Sequence, residues 1–289
     1  LQEKDIMPKS LKQLIKKNKI TVLPGVFNAI TARLAVRSGF EGLYVSGAGL
    51  SNGVLGMPDI GLLTLEEVSR QVQHISKIVN VPFLVDADTG FGGAAQVART
   101  VIELERAGAS AVQIEDQVSA KKCGHLEGKR LIDSGEMVRK VRAASRAKKN
   151  KDFLVVARTD ARSVVGLDEA VRRACLYLKA GADVIFPEAL ESKDEFKVFA
   201  KEVQAPLMAN MTEFGKSPYL SAKEFQALGY CLVIFPMTIF RVMMKSAESC
   251  LRELKKTGTQ KNFLSKMQTR KDLYDLLDYR VSDKIKKHG

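Results

Sequence analysis

The chain has 289 residues, 45% hydrophobic and 27% charged, which suits one large domain or two small ones and excludes a disordered protein. No apolar run approaches the roughly 18 residues of a membrane span, and the basic, polar stretch 1–19 lacks the apolar core of a signal peptide. The net charge of +13 raises nucleic acid as a partner, but the basic residues are spread along the chain, aromatics are 7% and no nucleic-acid motif accompanies them, so the charge is read as a potential that draws in an anionic small-molecule substrate.

Short β-rich apolar runs recur in chain order. The first is TVLPG (21–25). The second, GLYVSG (42–47), follows the glycine break RSGFEG and opens a glycine-rich turn, Ser46 to Gly49. Backbone N–H groups and the Ser46 hydroxyl there suit a carboxylate; the turn lacks both the Lys-Ser/Thr of a phosphate loop and the GxGxxG spacing. A helix with capping-box spacing at Thr64/Glu67 leads to the third run, PFLVDAD (82–88). Asp86 and Asp88 are two apart on a strand and so share a side. Two such carboxylates repel unless a cation lies between them or one is protonated. With TGFGG following, they are read as hard oxygen ligands for Mg²⁺; the lack of clustered His and Cys argues against zinc.

The fourth run, AVQIED (111–116), follows RAGASA and carries Glu115 and Asp116; Glu115 is read as a direct or indirect partner of the metal. Next comes KKCGHLEGK (121–129), too polar for a core element. Lys121, Lys122 and His125 are expected to lower the pKa of Cys123, a thiol on a loop able to close as an acid or base. The next helix has capping spacing at Asp133/Glu136, and its basic run 139–151 is expected to be solvated. FLVVARTD (153–160) holds Arg158 and Asp160; VIFPEA (184–189), after KAGADV, ends near Glu188; PLMANM (206–211) carries Asn210, with Thr212 beyond. Helices with capping spacing at Ser192/Glu195 and Ser221/Glu224 follow the sixth and seventh runs, and ALGYCL breaks into the eighth, CLVIFPM (231–237).

Eight strand–helix units over roughly 220 residues predict a (β/α)8 TIM-type barrel, with an open doubly wound sheet as the alternative. In a barrel, polar groups at the C-terminal strand ends form the site. The tail, 240–289, reads as a helical extension of one domain spanning 1–289, with Leu273, Leu276, Leu277 and Tyr279 expected to pack on a neighbouring subunit. The four cysteines, Cys123, Cys175, Cys231 and Cys250, lie far apart without CxxC spacing, so neither disulfides nor structural zinc is expected and free thiols fit a reducing cytoplasm.

Together LVDADTGFGG, IEDQVSAKKCGH, VARTDAR and ANMTEFG resemble the isocitrate lyase and phosphoenolpyruvate mutase superfamily, over about residues 10–285. KKCGH is similar to the lyase branch. NMTEFG, Phe240-Arg241 and GTQKNFLSKMQTRKDLY (258–274) resemble its short members that cleave 2-methylisocitrate to pyruvate and succinate in propionate breakdown. The resemblance implies a (β/α)8 homotetramer with exchanged C-terminal helices, dependent on Mg²⁺ or Mn²⁺. It implies a tricarboxylate substrate, with dimethylmalate, oxaloacetate or isocitrate as alternatives; a carboxylate-binding barrel without catalysis is the reading from another class. It further implies that Asp86 and Asp88 hold the metal. Substrate contacts would be Ser46, Gly47, Ala48, Cys123, Gly124, His125, Arg158, Glu188, Asn210, Met211, Thr212, Arg241 and Arg270. Cys123 would be the proton donor, with Arg158, Glu115 and Glu188 in the chemistry. This sequence departs from the family at Ala48, where glycine is usual, and at Gln113, where close relatives often have His. Alanine keeps the N–H unless a positive φ is required; glutamine hydrogen-bonds but cannot titrate.

Overall fold

Near-continuous apolar strands need cover on both faces. The computed structural model, which describes residues 10–17 and 19–279, supplies it by closing the sheet on itself inside a ring of helices. The strands are β1 Thr21–Val26, β2 Leu43–Val45, β3 Phe83–Asp86, β4 Ala111–Glu115, β5 Leu154–Thr159, β6 Val184–Pro187, β7 Met208–Asn210 and β8 Leu232–Phe235. All pairs are parallel, in the order β6-β5-β4-β3-β2-β1-β8-β7. An isolated parallel bridge, Ile185 to Leu207, joins the two ends and closes the barrel. Each of the eight apolar runs contains one strand, and the open-sheet alternative falls.

The helices are α1 Leu11–Ile15, α2 Ala29–Arg37, α3 Gly47–Gly53, α4 Leu65–Ser76, α5 Ala94–Arg106, α6 Ser134–Ala147, α7 Arg162–Val165, α8 Leu167–Ala180, α9 Lys193–Glu202, α10 Ala222–Ala227, α11 Thr238–Thr257 and α12 Arg270–Leu276. Two apolar clusters result. The larger lies between strands and helices, with Val68, Val101, Val141, Phe199 and Phe225. The smaller fills the barrel, with Leu23, Tyr44, Leu84, Leu154, Phe186 and Ile234, and takes in Leu11 and Leu14 of α1, so α1 plugs the end away from the polar strand termini.

Helix boundaries follow local chemistry. The four predicted breaks place Gly39, Gly108, Gly181 and Gly229 at φ 90°, 103°, 109° and 93°, which glycine adopts without a Cβ clash. Thr64/Glu67 and Ser221/Glu224 form full capping boxes. Ser192 accepts from the Glu195 N–H, but the Glu195 carboxylate turns to Arg162 and to the Glu191 N–H. Asp133 caps the Gly135 N–H, two residues on, instead of pairing with Glu136. The basic run is not wholly solvated: Lys140 is buried and donates to the Thr89 carbonyl, under the loop that carries Asp88.

The chain divides into two compact units, Leu1–Phe240 and Arg241–Gly289. The second holds most of α11, a 3₁₀ turn at Lys261–Lys266 and α12. Val242, Met243, Met244, Leu251, Leu273, Leu277 and Tyr279 are exposed, and Leu276 is buried. In the helical extension expected over 240–289, the last helix ends at Leu276 and a turn follows to Tyr279; positions 280–289 lie outside the described residues. Among the described residues no helix is long and apolar enough to cross a membrane, and the four cysteines are unbridged.

Candidate active site

The C-terminal strand ends gather five buried carboxylates (Asp86, Asp88, Glu115, Asp160, Glu188), joined by the partly buried Asp59 from the loop after α3, around three cations, Lys121, Lys129 and Arg158. The cluster carries three excess negative charges when all are ionised. Such an imbalance is costly in a low-dielectric setting unless a proton or another cation joins it.

Asp86 ends β3 and Asp88 lies beyond it, at φ 48°. The pair therefore converges through a left-handed turn rather than by strand alternation. A Cβ placed on Gly47 would stand 2.9 Å from Asp86 Oδ2 and 3.3 Å from Asp88 Oδ1. Asp86 accepts from the N–H groups of Asp88 (3.1 Å) and Gly47 (3.3 Å) and from Gln113 Nε2 (3.1 Å). Gln113 in turn accepts from the Tyr44 hydroxyl at 3.0 Å. The Gln113 amide thus orients the carboxylate without a titrating proton. Burial lifts the Asp88 carboxyl to about 6, with Asp86 and Asp59 adding to the rise and Lys121 opposing it. Lys121 contacts both Asp88 and Asp59, the latter at 2.7 Å. Its burial disfavours the ammonium, and the surrounding carboxylates outweigh that.

These residues fit a divalent cation. They are buried, convergent oxygen donors, and burial lifts one of them, Asp88, to about 6 despite Lys121. No set of three or more His, Cys, Asp or Glu is grouped as a metal cage among the described residues, so an ion here would rest on two carboxylates plus water and substrate oxygens, as Mg²⁺ does.

The predicted glycine-rich turn is in fact helix α3. Ser46 is its N-cap, its hydroxyl accepting from the Gly49 N–H at 3.0 Å. Ala48 lies within that helix and is not among the residues with positive φ, so its methyl group adds no backbone strain.

Arg158 leaves β5 and forms a bidentate pair with Asp160 (2.9 and 3.0 Å), while reaching toward Glu115 (3.4 Å) and Glu188 (3.7 Å) and stacking on Phe186. Glu188 accepts from Asn210 Nδ2 at 3.2 and 3.3 Å. Burial raises the Glu188 carboxyl, but Arg158 and His125 outweigh it and hold it well below the carboxylate range. Glu115 is driven well above its ordinary value by burial, against Arg158 and Lys121. Glu115 Oε2 and Asn210 Oδ1 are buried and take no hydrogen bond within the protein. Asp116 turns away from the site, accepting from Thr159, the Asp160 N–H, Tyr177 and Arg173.

The cysteine loop leaves β4 and returns to α6 through an antiparallel bridge between Gln117 and Leu131, with Val118 N–H on the Arg130 carbonyl (3.0 Å). Its tip is lowered onto the cluster. A Cβ on Gly124 would stand 2.2 Å from Glu188 Oε1 and 2.5 Å from Arg158 Nη2, so only glycine fits this approach. His125 Nε2 lies 3.3 Å from Glu188, and His125 Nδ1 accepts from the Lys216 N–H at 3.0 Å.

The expectation of an acidified thiol fails. Burial pushes the Cys123 thiol up, with Glu188 and Asp59 adding to the rise, against the His125 N–H and Arg158. The expected cations are engaged elsewhere: Lys121 with Asp59 and Asp88, Lys122 on the Glu127 carbonyl, His125 with Glu188 and Lys216. Met211 follows Asn210: its N–H bonds the Ile234 carbonyl, its sulfur accepts from the Leu220 N–H, and its side chain packs in the core. Thr212 is half-buried on the following loop. Arg241 and Arg270 belong to the second unit, where both are exposed. Tyr44, Asp59, Gln117 and Lys129 join the cluster unannounced by sequence, and Lys121, expected beside the thiol, pairs with carboxylates instead; Tyr44, Gln117 and Lys129 had the one signal of position near a strand end or the cysteine, and Asp59 had none.

A model of the phosphoenolpyruvate phosphomutase family matches residues 11–255. The chain is 56% identical over 274 residues to a 2-methylisocitrate lyase of Aeropyrum pernix, covering 95% of this chain and 88% of that protein. Among solved structures, a 2,3-dimethylmalate lyase of the same superfamily matches with a TM-score of 0.88 at 36% identity, over 93% of this chain and 91% of the other. A phosphonopyruvate hydrolase in complex with oxalate and Mg²⁺ matches with a TM-score of 0.83 at 27% identity, over 93% of each chain.

Proposed function

The chain belongs to the phosphoenolpyruvate phosphomutase family, and from that premise we propose that it is a carbon–carbon lyase cleaving 2-methylisocitrate to pyruvate and succinate. The observation that carries the reading is the cysteine loop, lowered at Gly124 onto the Glu188–Arg158 cluster of a barrel mouth that also holds the convergent Asp86 and Asp88. The relatives named 2-methylisocitrate lyase support the substrate.

Cleavage requires that the tertiary hydroxyl lose its proton, that the carbon–carbon electron pair pass to the succinate fragment, and that this carbanion be protonated. Asp86 and Asp88 would hold a divalent ion, whose contribution when bound is Lewis acidity toward the hydroxyl and its neighbouring carboxylate. Gln113 and the Gly47 N–H fix Asp86 for that task. Arg158 offers the guanidinium edge that suits a carboxylate, and Asn210 Oδ1 offers a buried acceptor. Glu115, Glu188 or a metal-bound water would take the hydroxyl proton; burial lifts the acid of Glu115, so it is the stronger base of the two glutamates once ionised, while Arg158 and His125 hold Glu188 low. Cys123 delivers its proton to the carbanion. A thiol kept neutral by burial is charged for that step, and Arg158 and the His125 N–H stabilise the thiolate that remains. Closure of the loop excludes water, which would otherwise compete for the carbanion.

We take the assembly to be a homotetramer with exchanged terminal helices in the cytoplasm; the exposed apolar side chains of the second unit and the unbridged thiols support this, and sedimentation tests the assembly. The decisive assay is pyruvate release with Mg²⁺ from 2-methylisocitrate against 2,3-dimethylmalate. Release from the first alone supports the reading, release from the second alone replaces the substrate, and release from neither overturns the lyase. In the same assay Cys123→Ser loses turnover while retaining substrate binding.

A further inference from the structure

Lys129 closes the motif KKCGHLEGK, yet the chemistry above makes no use of it. It is a lysine with 6% exposure, and its side chain is 1% exposed. Burying a charge at that depth is tolerated only with partners, and Lys129 has two. Nζ donates to Asp160 Oδ1 at 2.8 Å and to the carbonyl of Gly124. The first partner is fixed to the barrel: Asp160 follows β5, is fully buried and grips Arg158 through both oxygens. The second is the peptide next to the thiol. We propose that Lys129 is a positioning residue, a latch that holds the cysteine loop in its closed setting by tying the Gly124 peptide to Asp160.

The geometry distinguishes this from ordinary packing. Lys129 sits just inside the antiparallel stem of the loop, where the backbone is already held by the Val118 and Ile132 N–H groups. The stem therefore does not need the ammonium. The tip does, because Gly124 has no side chain and its carbonyl is the part of it that Lys129 can hold. Opening the loop separates the ammonium from the Gly124 carbonyl while Asp160 stays in place, so the bond stabilises the closed state over the open one. The other ties, His125 to Glu188 and Lys121 to Asp59 and Asp88, act on either side of the thiol; Lys129 acts on the adjoining peptide. The role rests on the proposed one for Cys123, but its test does not.

The test is the rate at which iodoacetamide alkylates Cys123, followed by peptide mass spectrometry so that the other three cysteines are separated, with no substrate present. In Lys129→Met the closed population falls, and alkylation should accelerate by about tenfold or more, the worth of a charged hydrogen bond. Lys129→Arg should restore a rate close to the parent. Loss of a nearby cation disfavours the thiolate, so electrostatics alone would slow the reaction; acceleration reports opening. The melting temperature, read alongside, should stay near the parent value, and hydrogen exchange at 119–128 in Lys129→Gln should rise without change in the barrel strands. Alkylation within twofold of the parent in Lys129→Met, or acceleration only together with exchange throughout the barrel, overturns the latch. If 2-methylisocitrate is not cleaved at all, the proposed function falls and the alkylation result still judges Lys129.

Discussion

Replacing Gly124 with alanine isolates loop closure from folding. The added methyl would stand 2.2 Å from Glu188 Oε1, 2.5 Å from Glu188 Cγ and 2.5 Å from Arg158 Nη2. Neither neighbour can yield cheaply, because Glu188 is held by Asn210 and Arg158 by a bidentate bond to Asp160. The loop tip must retreat instead. Overpacking of this kind costs about 1–3 kcal/mol, and at about 1.4 kcal/mol per decade the closed-to-open ratio should fall about 5- to 150-fold. Turnover of 2-methylisocitrate should drop by up to that factor, while the melting temperature stays put, since the tip can lift without disturbing a strand. Steady-state kinetics and a thermal melt suffice. Parent-like kcat in Gly124→Ala would mean that the thiol acts from a position other than the one described; a large fall in melting temperature would mean that Gly124 serves the fold.

Alkylation of Cys123 needs the thiolate, and burial raises this thiol, so the rate should rise with pH through an inflection above the roughly 8.5 of a free cysteine; an inflection below that value would restore the acidified thiol. Asp88→Asn should weaken Mg²⁺ binding, read by calorimetry, by more than the roughly tenfold that loss of an outer partner costs; unchanged affinity would remove Asp88 as a ligand. Tyr177→Phe leaves the buried Asp116 carboxylate without its 2.7 Å hydroxyl donor and should cost about 1–3 kcal/mol, a fall of several degrees in melting temperature.

The barrel was legible because its cause is local. Runs such as FLVVARTD are apolar on both faces and so demand a covered strand, and RAGASA or KAGADV can only end a helix. The aspartate pair was legible for the same reason, although a left-handed Asp88 rather than strand alternation brings it together. What sequence could not supply were pairings across the barrel mouth. Lys121 and Lys122 look alike in KKCGH, yet one is buried between Asp59 and Asp88 and the other lies on the loop surface. The thiol was misjudged because its cationic neighbours in sequence turn to other partners in space. Lys140 was placed in solvent because a basic helix face does not announce which of its residues the next loop covers.

Asp160 gives one oxygen to Arg158 alone and shares the other between Arg158 and Lys129. One side chain thus serves both the group suited to gripping an incoming anion and the strap beside the thiol. Tuning one without the other is then difficult: a variant that reshapes Arg158 for a different acid also resets how readily the mouth shuts. Diversification of this scaffold toward new acids should therefore favour changes at the outer loops, which leave that shared oxygen alone.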